Sequence, residues 1–137
     1  MAFDIGSGLE GKKVVVTGGS GGIGREICLA FGAAGSNVAV IDLDQTKVDG
    51  VVAEMAGGPH LAIAHDLRPV ADHKRLIDRA VAALGGIGVL VCTAAVLIRR
   101  PSVFDVSEAD WDFQHDINLK AVFFLNQAVA RVMKEQG

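Results

Sequence analysis

The stretch Thr17-Gly18-Gly19-Ser20-Gly21-Gly22-Ile23-Gly24 constrains this chain more than any other part of it. The run Lys13-Val14-Val15-Val16 leads into it, and a helical pattern from Gly22 to Ala34 leads out. An unbroken β-branched run suits a strand covered on both faces. Glycines between strand and helix allow a tight turn and leave the backbone bare enough for close approach by another molecule. Free N–H groups at the start of the helix, backed by the positive end of its dipole, attract phosphate. A bare glycine pattern is weak, but one set between a strand and a helix is a nucleotide-binding signal.

The rest of the chain repeats the alternation. Asn37 to Ile41, Leu61 to Ala64 and Ile87 to Cys92 read as further strands. Between them, Thr46 to Met55 reads as a helix with Val48, Val51, Val52 and Met55 inward, and Pro69 to Leu84 as another. The first helix places Ile23, Ile27, Ala30 and Phe31 on one stripe, and Gly35 ends it. A long last helix opens with Ser107 and Asp110 in the pattern of a capping box. Its apolar series is Ala121, Phe124, Leu125, Ala128, Val129, Val132 and Met133, and Val122 and Phe123 add apolar surface off that stripe. Such a helix is buried on more than one side, so part of it is expected to meet another subunit in a homo-oligomer.

Strand–helix–strand repetition at this spacing implies right-handed crossovers and a parallel sheet. The expected fold class is α/β: a doubly wound parallel sheet of the NAD(P)-binding Rossmann type, with four strands and four helices in a single domain over residues 1–137. In the strand order 3-2-1-4-5-6, stopping at the fourth strand leaves it as an edge. Ile87 to Cys92 has no charge or proline to protect that edge. The expectation is therefore a fold truncated after the fourth strand and its following helix, with further chain normally covering it.

Charge and cysteine usage exclude several partners. The formal net charge is −3, and the close basic pairs Lys12-Lys13 and Arg99-Arg100 read as solvated ends. A nucleic-acid partner needs a clustered positive surface. Cys28 and Cys92 lie in apolar stretches without a second cysteine or histidine at ligand spacing, so neither a disulfide nor a metal is expected. Met1 to Glu10 has no secretory pattern, and Ile87 to Ile98 is too short to span a bilayer. The expectation is a cytoplasmic protein without a membrane partner.

The glycines fit two registers, Gly19-Gly21-Gly24 as G-x-G-x-x-G and Gly18-Gly22-Gly24 as G-x-x-x-G-x-G. Asp42 follows at the end of the second strand, where an acid accepts hydrogen bonds from the adenosine ribose and repels a 2′-phosphate. Neither Gly21, before Gly22, nor Leu43, after Asp42, carries a positive charge. Together these favour NAD over NADP. The other reading of Asp42, as a cap for the next turn, suits Asp44 better.

On these residues the chain resembles the short-chain dehydrogenase/reductase family. Asp66-Leu67 after the third strand, and Trp111 to Phe123 with Asp116-Ile117-Asn118-Leu119, carry the likeness further. The resemblance implies that Gly18, Gly22 and Gly24 form the pyrophosphate loop with Ile23 beside the cofactor. It implies that Asp42 binds the ribose, that Asp66 accepts from the adenine amino group, and that Leu67 packs nearby. Ser20, Leu43, Thr93 and Ala94 count with them as cofactor contacts. Asn118 would match the helix asparagine that holds a water in the proton relay; without the family, a bond from Asn118 to nearby backbone is the simpler reading. One motif departs: Cys92-Thr93-Ala94-Ala95 stands where the family usually has Asn-Asn-Ala-Gly.

The family's chemistry implies a tyrosine acid/base, a lysine four residues on and a serine that polarises the carbonyl. The sequence holds no tyrosine. Among the histidines His60, His65, His73 and His115, only His115 stands near Asn118 in sequence. The leading expectation is an NAD-dependent oxidoreductase acting on an alcohol or carbonyl substrate, with its catalytic Ser/Tyr/Lys half absent from this chain. A non-catalytic NAD-binding or subunit-association module is the alternative, and a methyltransferase holding another adenosine ligand is a weaker third.

Overall fold

A computed structural model describes residues 8–137; the reading of the amino-terminal seven residues lies outside them. Strands β1 (Lys13–Thr17), β2 (Asn37–Asp42), β3 (Leu61–Ala64) and β4 (Val89–Cys92) alternate with helices α1 (Gly22–Ala33), α2 (Gln45–Glu54) and α3 (His73–Leu84). Helices α4 (Glu108–His115) and α5 (Val122–Gln136) follow, joined by a π-helical turn, Asp116–Ala121. The sheet is parallel throughout, in the order β3-β2-β1-β4. This is the expected doubly wound architecture, with β4 at one edge of the described chain.

Successive strand residues point to opposite faces, and that alternation sorts the valines into two cores. Val15, Ala39, Ile41 and Ile63 face α3 and α5, where Leu76, Ile77, Ala80, Leu125 and Val129 cover them. Val14, Val16, Val38 and Val40 face α1 and α2, meeting Cys28, Val48, Val51 and Met55. A sheet buried on both faces explains why its strands read as continuous apolar runs.

Several expectations change in detail. The inner line of α1 is Gly24, Cys28 and Gly32, four residues apart, and not the stripe beginning at Ile23. Ile23 is 76% exposed and Ala30 is exposed, while Ile27 and Phe31 only flank the core. The reason is distance: a Cβ on Gly32 would stand 2.9 Å from the Ala56 carbonyl oxygen, so only small residues fit where this helix meets its neighbours. Helix α3 starts at His73, after a 3₁₀ turn at Val70–Asp72 that follows Pro69. The single long helix expected near the carboxyl end is two helices, because the π-helical turn interrupts it.

The start of α4 follows the sequence signal and adds to it. Ser107 Oγ accepts from the Asp110 N–H and Asp110 Oδ2 accepts from the Ser107 N–H, both at 3.1 Å. Arg100 is not a solvated loop end, since its guanidinium donates to both Asp110 oxygens at 2.9 and 2.6 Å. That guanidinium, with the Ser107 N–H, holds the Asp110 carboxyl far below the usual carboxylate range. The loop leaving β4 is thereby tied to the first turn of α4.

Candidate cofactor-binding site

The glycine loop divides into positions that serve the protein and one that serves open space. Gly18 has φ +68°, and a Cβ there would lie 2.5 Å from the Ala94 nitrogen. A Cβ on Gly19 would lie 2.6 Å from Val40 Cγ1, and one on Gly24 would lie 2.1 Å from the Gly18 carbonyl oxygen. Loop and helix can approach β1, β2 and the end of β4 only without these side chains. At Gly22, by contrast, a Cβ would meet nothing within 4 Å. Gly22 is exposed at the N-terminus of α1.

A cavity of about 350 Å³ lies at the carboxyl ends of the strands. This is where the strand order reverses between β1 and β4, the switch point at which open α/β sheets bind ligands. Of the residues expected to contact a cofactor, Gly18, Ser20, Asp42, Leu43, Asp66, Leu67, Thr93 and Ala94 line it. Gly22, Ile23 and Gly24 do not: Gly24 is buried beneath the loop, and Ile23 points outward. The cavity also draws in Gly21, Lys47, His65, Ala95, Val96 and Ile117, which were not among the expected cofactor contacts. Lys47 was the one with a legible signal, since it sits in the first turn of α2, shortly after Asp42.

The carboxylate of Asp42 is already oriented. Its Oδ2 accepts from Ser20 N–H at 3.0 Å and from Ser20 Oγ at 2.6 Å, and its Oδ1 accepts from Leu43 N–H at 2.8 Å. A carboxylate offers about four acceptor positions, so these bonds leave room for a ribose hydroxyl. Partial burial pushes its pKa up, but the bonds from Ser20 and Leu43 and the charge of Lys47 outweigh burial, and Asp42 titrates below the ordinary carboxylate range. Asp44, not Asp42, caps α2, accepting from Lys47 N–H at 3.2 Å.

Asp66 is held from the other side. Arg68 donates to it from Nε at 3.1 and 2.9 Å and from Nη2 at 2.5 Å, and its guanidinium carbon lies 5.4 Å from the Phe113 ring centroid. The Arg68 bonds lower the Asp66 carboxyl despite some burial. Burial lowers His65 below the usual histidine range, with His73 and Arg75 adding to it and Asp72 and Asp66 opposing. His73 Nε2 donates to the Leu67 carbonyl at 2.7 Å, which shapes the loop after β3. His60 closes the sheet, accepting from Val38 N–H at 3.2 Å and donating to the Ala56 carbonyl at 2.9 Å.

The departing motif after β4 has its own means of closure. Thr93 Oγ1 donates to the Thr17 carbonyl at 2.6 Å, and Thr93 N–H donates to the same oxygen at 3.1 Å. One hydroxyl thus ties the ends of β1 and β4 together. Cys28 is fully buried and pushed up to about 12, while Cys92 is half-buried, raised by burial, with its Sγ 3.7 Å from Asn126 Nδ2. Asn118, placed by the π-helical turn, accepts from Val96 N–H at 2.9 Å and donates to the Val96 carbonyl at 2.8 Å. It clamps the chain at the cavity wall. His115 shares a groove with Asn118 but stacks on Trp111, with ring centroids 4.0 Å apart. That groove, about 680 Å³, runs along α4 outside the glycine loop, and of the segment Ile98–Phe104 only Val103 lines it.

A parallel sheet ordered 3-2-1-4, with a glycine loop at its switch point and an oriented acid ending β2, defines a Rossmann-type nucleotide-binding unit. The short chain dehydrogenase family profile matches residues 12–137, and the chain belongs to that family. The short chain dehydrogenase/reductase dpmpG of Macrophomina phaseolina is 37% identical over 131 residues, covering 93% of this chain and 75% of that protein. The 2-dehydro-3-deoxy-D-gluconate 5-dehydrogenase of Escherichia coli is 38% identical over 129 residues, covering 94% and 51%. Among solved structures, a 7α-hydroxysteroid dehydrogenase complexed with NADH and 7-oxo glycochenodeoxycholic acid superposes with a TM-score of 0.88 at 34% identity, covering 94% of this chain and 51% of that one. The chain therefore spans three quarters of the first relative and about half of the other two.

Proposed function

We propose that this chain holds NAD in the cavity at the strand ends and forms the cofactor-binding part of an oxidoreductase acting on a small alcohol or carbonyl substrate. The carrying observation is Asp42: a carboxylate oriented by Ser20 and Leu43, at the cavity wall, with acceptor capacity left for a ribose hydroxyl. The bare backbone at Gly22 leaves space for a diphosphate at the start of α1. Asp66 faces the same cavity and accepts hydrogen bonds, as an adenine amino group requires. When bound, the nicotinamide supplies the hydride acceptor or donor. The protein's part is to orient the adenosine end and, through Thr93 and Asn118, to fix the backbone beyond β4.

These residues contain no tyrosine, so the proton transfer that accompanies hydride transfer is assigned to groups outside them. Calorimetric titration with NAD and with S-adenosylmethionine tests the reading. Saturable binding of NAD alone is expected; binding of S-adenosylmethionine without NAD would overturn it.

The last helices are assigned to contact with a second copy of the chain. Trp111, Leu119 and Phe123 stand 58%, 63% and 62% exposed on α4, the π-helical turn and α5, and exposed large apolar side chains of this kind support a contact surface. Sedimentation of the protein as a dimer or larger, reduced to monomer by Leu119→Asp, is the expected result. A wild-type monomer would remove this assignment. The unpaired thiols of Cys28 and Cys92 support a reducing, cytoplasmic setting.

A further inference from the structure

Arg68 grips Asp66 with three separate N–H groups. Its backbone N–H donates to Asp66 Oδ1 at 3.0 Å. Its Nε lies 3.1 and 2.9 Å from the two carboxylate oxygens, and its Nη2 donates to Oδ2 at 2.5 Å. Among the described residues, no other ion pair includes a residue of the cavity wall. Both side chains are partly exposed, and an ion pair of that kind adds little to stability. What it does is fix a position.

The guanidinium is itself braced. Its carbon lies 5.4 Å from the ring centroid of Phe113, so a ring on α4 supports it. Asp116, a second carboxylate acting on it, is bonded instead to Lys120 at 3.1 Å. Asp66 and Leu67 line the cavity and Arg68 does not. The arginine therefore holds the carboxylate from outside the wall. Its planar fork sets the tilt of the carboxylate as well as its place.

A carboxylate offers about four acceptor positions. The donors of Arg68 take all but about one of them, on a group that is no longer free to turn. An aminopurine brings an N–H to such an acceptor. An oxopurine brings an oxygen to the same place, and oxygen and carboxylate repel. The donor of the oxopurine is the ring N–H beside that oxygen, and a carboxylate reaches it only by turning. Freedom of Asp66 to turn thus decides how well the site separates the two bases.

We propose that Arg68 is a positioning residue that locks the Asp66 carboxylate and so makes the site select an aminopurine over an oxopurine. The proposal rests on the reading of the cavity as a dinucleotide site with its base at Asp66.

The test uses NAD and nicotinamide hypoxanthine dinucleotide, which carries an oxygen in place of the adenine amino group. Dissociation constants are measured by calorimetry for the wild-type protein, Arg68→Ala and Arg68→Lys. The wild type is expected to favour NAD by about tenfold or more. In Arg68→Ala the preference should shrink to about threefold or less, with NAD weakened and the hypoxanthine compound held or strengthened. Lysine restores the charge but not the fork, so Arg68→Lys should stay near the alanine value. Melting temperatures within about 5 °C of wild type are expected, since the pair is partly exposed. A full preference in Arg68→Lys would show that charge and not orientation sets it, and overturns the proposal. An undiminished preference in Arg68→Ala overturns it too, as does equal binding of the two compounds by the wild type; in each case the NAD reading stands. Binding of neither dinucleotide by the wild type overturns both.

Discussion

Replacing Gly24 with alanine is expected to lower stability by about 3 kcal/mol, at the upper end of what overpacking a core usually costs. The added Cβ would stand 2.1 Å from the Gly18 carbonyl oxygen and 2.7 Å from Thr93 Oγ1. Neither neighbour can yield cheaply. The Gly18 oxygen accepts from Gly21 N–H at 3.1 Å, and Thr93 Oγ1 is committed to the Thr17 carbonyl. Relief of the clash breaks the turn of the loop or the tie between β1 and β4, each a hydrogen bond worth about 1 kcal/mol. For a domain of this size the melting temperature should fall by roughly 10 °C. Gly22→Ala is the contrast. Its Cβ meets no protein atom and alanine favours the helix, so stability should hold or rise slightly, while NAD binding weakens by about 10- to 100-fold. Equal melting temperatures for the two variants would show that the two glycines do not differ in this way.

Asp42→Ala is expected to lose about 10- to 100-fold in NAD affinity, the size of one charge-assisted hydrogen bond or slightly more. Ser20 would lose the acceptor for both its N–H and its hydroxyl, so the loop loosens as well. Asp42→Asn separates the two effects: it keeps the size but not the charge, and should discriminate less against NADP than the wild type does. The pH dependence has a definite sign. The folded carboxyl titrates below its unfolded value of about 3.9, so its contribution to stability is full above that value and is lost as pH falls through the lower folded value. The titration of Asp42 should therefore leave NAD affinity flat between about pH 5 and pH 8. Full NAD affinity in Asp42→Ala would remove this aspartate from the site.

Much of this was legible beforehand for a simple reason. A strand buried on both faces must be apolar at every position, so Val14, Val15 and Val16 betray β1 whichever way each points. The glycine loop and Asp42 were legible because phosphate and ribose binding demand particular residue types at particular places along the chain. The cap at Ser107 and Asp110 was readable because its partners are three residues apart.

Features that depend on partners distant in the chain were not readable. The inner line of α1 consists of Gly24, Cys28 and Gly32, because closeness of packing, not hydrophobicity, governs that contact. The π-helical turn places Asn118 against Val96, a pairing set by where β4 ends relative to the last helices. Arg68 meets Asp66 locally, but its position against Phe113 needs α4 brought alongside the loop after β3. Lys47 enters the cavity because α2 folds back over the end of β2, whereas the motif reading tested only the residue next to Asp42. The sequence by itself determined the layers, the strand alternation and the loop that awaits a phosphate, since each follows from local residue type and period. Which glycines guard packing and which guard ligand space, and which charges share the cavity, only the tertiary structure decided, because sterics and Coulomb forces act through space and not along the chain.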